Sequence, residues 1–215
     1  MSIDEATEAE VQKQLTLLIV SPIDKQIQKL LLKHKKTLSV AESCSGGQLS
    51  FEFTKVPGAS EYYAGGVCTY NNYIKNHILK VQRSTLKKHT AVSQQTAMEM
   101  AASVRCMFET SIGLSTTGYA GPSGDNVGLV WIAIDGLGNK IQKKFNFKGV
   151  RWQVQLNAAM EAKKLLLQEL KKYNKSLKKP KLINNKNYCK DCSNDYDDKQ
   201  MCKFCKDGSH QTLIK

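Results

Sequence analysis

The sequence predicts an α/β fold: a three-layer α/β/α sandwich with a mixed sheet, followed by a small C-terminal appendage. Three observations lead there. Short β-branched or apolar runs alternate with longer stretches whose apolar residues recur at helical spacing. Several of the strand-like runs end at glycine- or serine-rich turns. Four of the seven cysteines are gathered in two pairs near the C-terminus, away from the rest. The chain has 215 residues and is 41% hydrophobic. That suits one main domain of the usual size, about 100–200 residues, and excludes wholesale disorder.

Residues 1–20 read as an N-terminal extension, acidic and then apolar, with no clear period. Its apolar run from Leu15 to Val20 is far shorter than the roughly 20 residues of a membrane span. Asp4, Glu5, Glu8 and Glu10 stand where a signal peptide carries basic residues. The expectation is a cytoplasmic protein without membrane contact.

The main domain is expected over 21–173. Ser21 caps a helix, Pro22 fits its first turn, and Asp24 suits the positive end of the helix dipole. Ile23, Ile27, Leu30, Leu31 and His34 follow at helical spacing, which carries the helix to about Lys35. A short buried strand is expected over 37–41, a helix over 47–54, a strand over 62–70 and a short helix over 73–79. Ser93 caps a helix whose apolar face is Ala97, Met100, Ala101, Val104, Met107 and Phe108. A strand over 111–117 runs into a glycine-rich loop, 118–128. Strands over 129–134 and 141–147 pair across the turn 135–139. A long helix over 150–173 closes the domain, with Trp152, Leu156, Ala159 and Met160 toward the core.

Charge is uneven. The chain carries +13, and residues 163–190 hold ten lysines against one acid, Glu169, a net +9. Such a stretch attracts nucleic acid or an acidic protein. It also reads as a solvated helix end running into a basic linker, 174–187.

The first chemistry-bearing segment is Ala41-Glu42-Ser43-Cys44-Ser45-Gly46-Gly47, where a strand ends, the chain turns tightly and a helix begins. Unpaired N–H groups at a helix start favour negative charge, so a serine there has an oxyanion site within reach. The same pattern also makes a plain helix cap. The second is Thr117-Gly118-Tyr119-Ala120-Gly121-Pro122-Ser123-Gly124-Asp125-Asn126. A glycine-rich loop after a strand brings N–H groups up to a phosphate, or simply turns the chain.

In combination these segments become specific. After the first come Val56-Pro57-Gly58-Ala59-Ser60, Tyr62, Gly66, Tyr70-Asn71-Asn72-Tyr73-Ile74-Lys75, Thr85-Leu86, His89 and Ala91-Val92-Ser93. Then follow Thr117 to Pro122 and Val127-Gly128-Leu129-Val130-Trp131-Ile132-Ala133. In order and spacing, over about 22–173, the series resembles the CinA C-terminal domain family, which includes stand-alone nicotinamide-mononucleotide deamidases. The resemblance implies a metal-free amidohydrolase. It would cut the carboxamide of nicotinamide mononucleotide, releasing nicotinate mononucleotide and ammonia through a serine acyl-enzyme. The family's serine, tyrosine and lysine fall on Ser43, Tyr70 and Lys75. Ser43 is then the nucleophile, and Lys75 its base if burial or nearby positive charge lowers its pKa. Tyr70 relays a proton or donates to the leaving amine. Ser45, Gly46 and Gly47 would hold the oxyanion, and Gly118 and Gly121 the nucleotide. The resemblance also implies a homo-oligomer.

The chain departs from the family pattern at Ser45 (threonine), Thr90 (glycine) and Val150 (aspartate, before the retained Arg151). The 122–127 loop is shortened: a Lys-Pro pair is absent and Asp125 is present. The loop favours a second reading, a degenerate scaffold that binds nucleic acid or protein through its tail. The intact Ser43, Tyr70 and Lys75 oppose it.

The third segment, residues 188–215, holds Cys189, Cys192, Cys202 and Cys205 as two Cys-x-x-Cys pairs separated by nine residues. That spacing suits a closed, structural zinc-knuckle site of four thiolates. So short a segment buries little core, and a metal would supply its folding energy.

Overall fold

A computed structural model of the chain describes residues 20–123, 126–138 and 140–177. Residues 1–19 of the expected N-terminal extension lie outside it, as do Gly124, Asp125, the linker from 178 and the four-cysteine appendage. The elements run α1 (Pro22–Lys33), β1 (Leu38–Glu42), α2 (Gln48–Thr54), β2 (Tyr63–Cys68), α3 (Asn72–His77) and α4 (Arg83–His89). They continue as α5 (Gln94–Met107), β3 (Ile112–Gly118), β4 (Leu129–Asp135), β5 (Ile141–Asn146) and α6 (Arg151–Ser176).

The sheet is mixed, as expected, in the order β2-β1-β3-β4-β5. β1 pairs in parallel with β2 and β3, while β3–β4 and β4–β5 are antiparallel. α1, α2 and α6 pack together on one face, and α5 covers β1, β3 and β4 on the other. β1 is therefore buried on both sides. Leu38 and Val40 join the core under α1, α2 and α6, and Ala41 joins the one under α5. Ser39 is polar and fully buried, yet its hydroxyl reaches the Val104 carbonyl at 3.1 Å and Thr110 at 2.7 Å.

α1 starts as predicted: Ser21 and Asp24 form a reciprocal capping box with Pro22 in the first turn. Four expectations are corrected. α4 is a helix where the sequence pattern predicts none. None of its residues is buried, so it has no apolar stripe to read. Its start is held instead by Glu99 of α5, which accepts from the Gln82 amide at 2.7 Å and the Thr85 hydroxyl at 2.5 Å. Met107 is exposed, and Phe108 takes its place against Gly65 of β2. Trp152 is exposed because the buried stripe of α6 runs through Val154, Ala158, Ala162, Leu166 and Leu170; position 152 lies on the opposite side of the helix. Finally, α6 continues to Ser176, so residues 174–176 are helix rather than linker.

Lys163, counted in the basic stretch, is fully buried. Its ammonium bonds Asp24 of α1 and Glu52 of α2, and Lys55 joins Glu52 at 2.9 Å. This charge cluster ties three helices together on one face of the sheet. Burial raises the Asp24 pKa, but the Lys163 bond and the bonds to Ser21 outweigh it and hold the carboxyl below its ordinary value.

Candidate active site

The chain leaves β1 for β2 on one side and returns to β3 on the other. In such sheets the crevice at the carboxyl ends of the strands where the order reverses is the usual place for a ligand. Ser43 is the first residue past β1. Its amide donates to the Thr116 carbonyl of β3 at 3.0 Å. On the other side the Thr69 amide donates to the Glu42 carbonyl at 2.8 Å. Ser43 is therefore gripped between two parallel neighbours. Gly46 (φ +61°) and Gly47 (φ +100°) then take left-handed conformations, which residues with a Cβ rarely adopt, and turn the chain into α2.

Neighbouring side chains diverge here. Glu42 points to the start of α2, whereas Ser43 points to α3. α3 is capped by Asn71, whose side chain accepts from the Ile74 amide at 2.8 Å. The segment after it is anchored by Leu79 and Val81, buried with Ala41, Met100 and Val104. Lys75 is thereby folded inward and is 1% exposed. Its Nζ lies 2.8 Å from Ser43 Oγ, 2.8 Å from the Thr69 carbonyl and 3.5 Å from the Tyr70 carbonyl. No carboxylate pairs with it among the described residues. Burial disfavours its charged form and brings its pKa down to about 8; nearby Cys44 and Cys68 oppose the shift.

The geometry can therefore activate the serine. When Lys75 is neutral, its two N–H groups can face the two carbonyls and its lone pair is left for the Ser43 proton. Cys44, next in the chain, is a poor rival. Burial pushes its thiol up to about 12, so little thiolate exists at neutral pH.

The remaining predicted residues are placed differently from one another. The Tyr70 side chain is 61% exposed, and its hydroxyl accepts from Arg151, the first residue of α6. Arg151 also donates to the Gly121 carbonyl. Tyr70 and Gly121 are thus brought together through Arg151, while Tyr70 touches the Ser43–Lys75 pair through its backbone carbonyl. The Ser45 hydroxyl is buried and bonds Glu42 at 2.7 Å and Thr116 at 2.6 Å. The Gly46 amide donates to the Ser43 carbonyl at 3.3 Å and the Gly47 amide to Glu42 at 2.9 Å. Gly118 ends β3, where a Cβ would come within 2.5 Å of the Leu129 carbonyl, so its lack of a side chain serves the β3–β4 pairing. Cys189, Cys192, Cys202 and Cys205 lie outside the described residues.

Two residues given no role in the sequence reading stand out: Arg151 and Glu42. For Glu42 a signal existed. Leu38, Val40 and Glu42 share one face of a strand by the two-residue repeat, which places an acid on a core-facing side.

A family model described as the CinA C-terminal domain matches residues 20–170. A CinA-like protein of Amoebophilus asiaticus is 53% identical over 115 residues, 52% of this chain and 28% of the relative. One of Thermotoga maritima is 43% identical over 155 residues, 70% of this chain and 37% of the relative. The chain spans about a third of the length of these curated relatives. Among solved structures, competence damage-inducible protein A of Klebsiella pneumoniae superposes with a TM-score of 0.67 at 29% identity, covering 69% of this chain and 95% of that one. The competence or damage-inducible protein of Enterobacter asburiae gives 0.67 at 33%, covering 69% and 96%. No helix of the described residues is long and apolar enough to cross a membrane.

Proposed function

The chain belongs to the CinA C-terminal domain family, and from that premise we propose that it is a serine amidohydrolase acting on nicotinamide mononucleotide. The observation that carries the reading is the buried Lys75 ammonium group, without a carboxylate partner among the described residues, 2.8 Å from Ser43 Oγ. Neutral Lys75 takes the Ser43 proton as the oxygen attacks the carboxamide carbon, and the carbonyl oxygen becomes an oxyanion. Collapse breaks the C–N bond, and the proton on Lys75 leaves with the amine as ammonia. Water then attacks the acyl-enzyme with Lys75 again as base, releasing the carboxylate and restoring Ser43.

The Gly46 and Gly47 amides already have acceptors. On this reading the oxyanion is met by a donor other than those two amides. The Tyr70 phenol, accepting from Arg151, keeps its own proton to donate to bound substrate. On this reading Tyr70 and Arg151 act on the substrate side rather than in the serine–lysine relay.

The test is ammonia release from nicotinamide mononucleotide, followed as a function of pH. Only neutral Lys75 serves as base. With its pKa brought down to about 8, kcat/KM is expected to rise with pH and level off above about 8. Below that inflection it should fall about tenfold per unit. A kcat/KM that stays flat between about pH 6 and pH 9 would remove Lys75 from this role. Folded protein that releases no ammonia from this or any other nicotinamide compound would favour the scaffold reading. Retention on nucleic acid at low salt would then be measured with and without residues 178–215.

We also propose one structural zinc ion on Cys189, Cys192, Cys202 and Cys205, on their spacing alone. Metal analysis of the full chain should find about one zinc per protein molecule. Replacing Cys189 and Cys202 together by serine should remove it without changing amide hydrolysis. A metal-free wild type purified under reducing conditions would refute the site.

A further inference from the structure

Glu42 is 1% exposed, and no cation pairs with it among the described residues. Five donors converge on it instead. Oε2 accepts from the Ser45 hydroxyl at 2.7 Å, the Gly47 amide at 2.9 Å and the Leu49 amide at 3.0 Å. Oε1 accepts from the Ser50 amide at 2.8 Å and the Ser50 hydroxyl at 2.5 Å. A carboxylate offers about four lone-pair sites, so both oxygens are fully engaged. An isolated buried charge is costly, and here only N–H and O–H dipoles and the start of a helix offset it. An ordinary helix cap would be satisfied by one serine or aspartate at the solvent-facing end. Glu42 instead reaches forward across the very turn that carries Ser43.

We propose that Glu42 is the positioning residue of this site, its carboxylate locking the 43–47 turn so that Ser43 Oγ stays on Lys75 Nζ. The chain on one side of Ser43 is fixed by β1, and the chain on the other side is fixed by the bonds of Ser45 and Gly47 to Glu42. Ser45 in turn bonds Thr116 of β3, whose carbonyl accepts the Ser43 amide. Ser43 therefore sits on a closed hydrogen-bonded loop through Glu42, Ser45 and Thr116. By taking the Gly47, Leu49 and Ser50 amides, Glu42 also occupies donors at the start of α2.

The inference rests on Ser43 being the nucleophile, and the test separates the two. Glu42→Gln puts an NH2 group among amides that can only donate, so the loop must open at one oxygen. Turnover would be measured beside the rate at which a fluorophosphonate labels Ser43, followed by intact mass, well below the unfolding temperature. Misplacing a nucleophile by about 1 Å costs on the order of 10²-fold. Both kcat and the labelling rate should fall by about that factor, with KM and the pH inflection near 8 unchanged. Should Glu42→Gln fail to fold, Ser50→Ala, which removes one donor outside the turn, is expected to lower both rates severalfold and in parallel. A wild type that labels, with variants that melt earlier but label and turn over at the wild-type rate, would make Glu42 a helix cap only and overturn the proposal. A wild type that is never labelled would overturn the nucleophile reading, and this inference with it.

Discussion

Ser43→Ala is expected to lower kcat for ammonia release by at least about 10³-fold, with little change in KM. The substitution removes the attacking oxygen and leaves the crevice walls in place. Lys75→Met should have an effect of the same order, because an unassisted serine hydroxyl is a poor nucleophile at neutral pH. The double variant should be scarcely worse than either one, since the two groups act as a unit. Lys75→Arg should not rescue activity: a guanidinium is never neutral in water and has no lone pair for the Ser43 proton. Steady-state ammonia release, with circular dichroism to confirm folding, decides the matter. Turnover by Ser43→Ala within tenfold of wild type would exclude the acyl-enzyme route. Cys44, beside the missing oxygen, would offer no explanation, because burial holds its thiol at about 12.

The largest stability effect is expected at Lys163, far from the chemistry. Lys163→Met leaves Asp24 and Glu52 buried, with Glu52 keeping Lys55 at 2.9 Å and Asp24 keeping only its bonds to Ser21. Removing one partner from a buried ion pair costs about 3–5 kcal/mol. For a domain of this size that is a fall in Tm of about 10 °C. The pH dependence supplies the sharper test. In the wild type the Asp24 pKa is depressed, so its contribution is present at neutral pH and lost as pH falls through the folded value. In Lys163→Met the main cause of that depression is gone and burial, which raises the pKa, is left. The sign should reverse: lowering the pH toward protonation of Asp24 should restore part of the lost stability. Thermal unfolding of both proteins across the acidic range would show it. Parallel curves would mean that the cluster contributes packing rather than charge.

Much of the layout was readable in advance because local rules and global fold agree. Ser21-Pro22 with Asp24 marks a helix start by capping chemistry alone, and α1 begins there. The five-strand count and the mixed sheet follow from the alternation of β-branched runs with helical stripes. Where no stripe exists the reading failed. α4 buries nothing and takes its cap from Glu99 of another helix, a contact no local window contains. The sequence sets Trp152 toward the core with Leu156, Ala159 and Met160, yet its angular position on α6 points it outward.

For the site, the sequence by itself supplied the residue types and the turn. A serine follows a short apolar strand, two glycines able to take positive φ follow it, and a lysine stands 32 positions further on. Only the tertiary structure decided what those residues do to one another. Leu79 and Val81 drop into the core under α5, and that burial swings α3 across the end of β1. The Lys75 ammonium is thereby removed from water, brought to Ser43 and shifted down to about 8. The same holds for charge. Lys163 looks like a surface residue in a list of letters, yet it is buried. Side-chain charge is written in the sequence; the dielectric around it and the distance to its partner are set by packing between segments far apart in the chain.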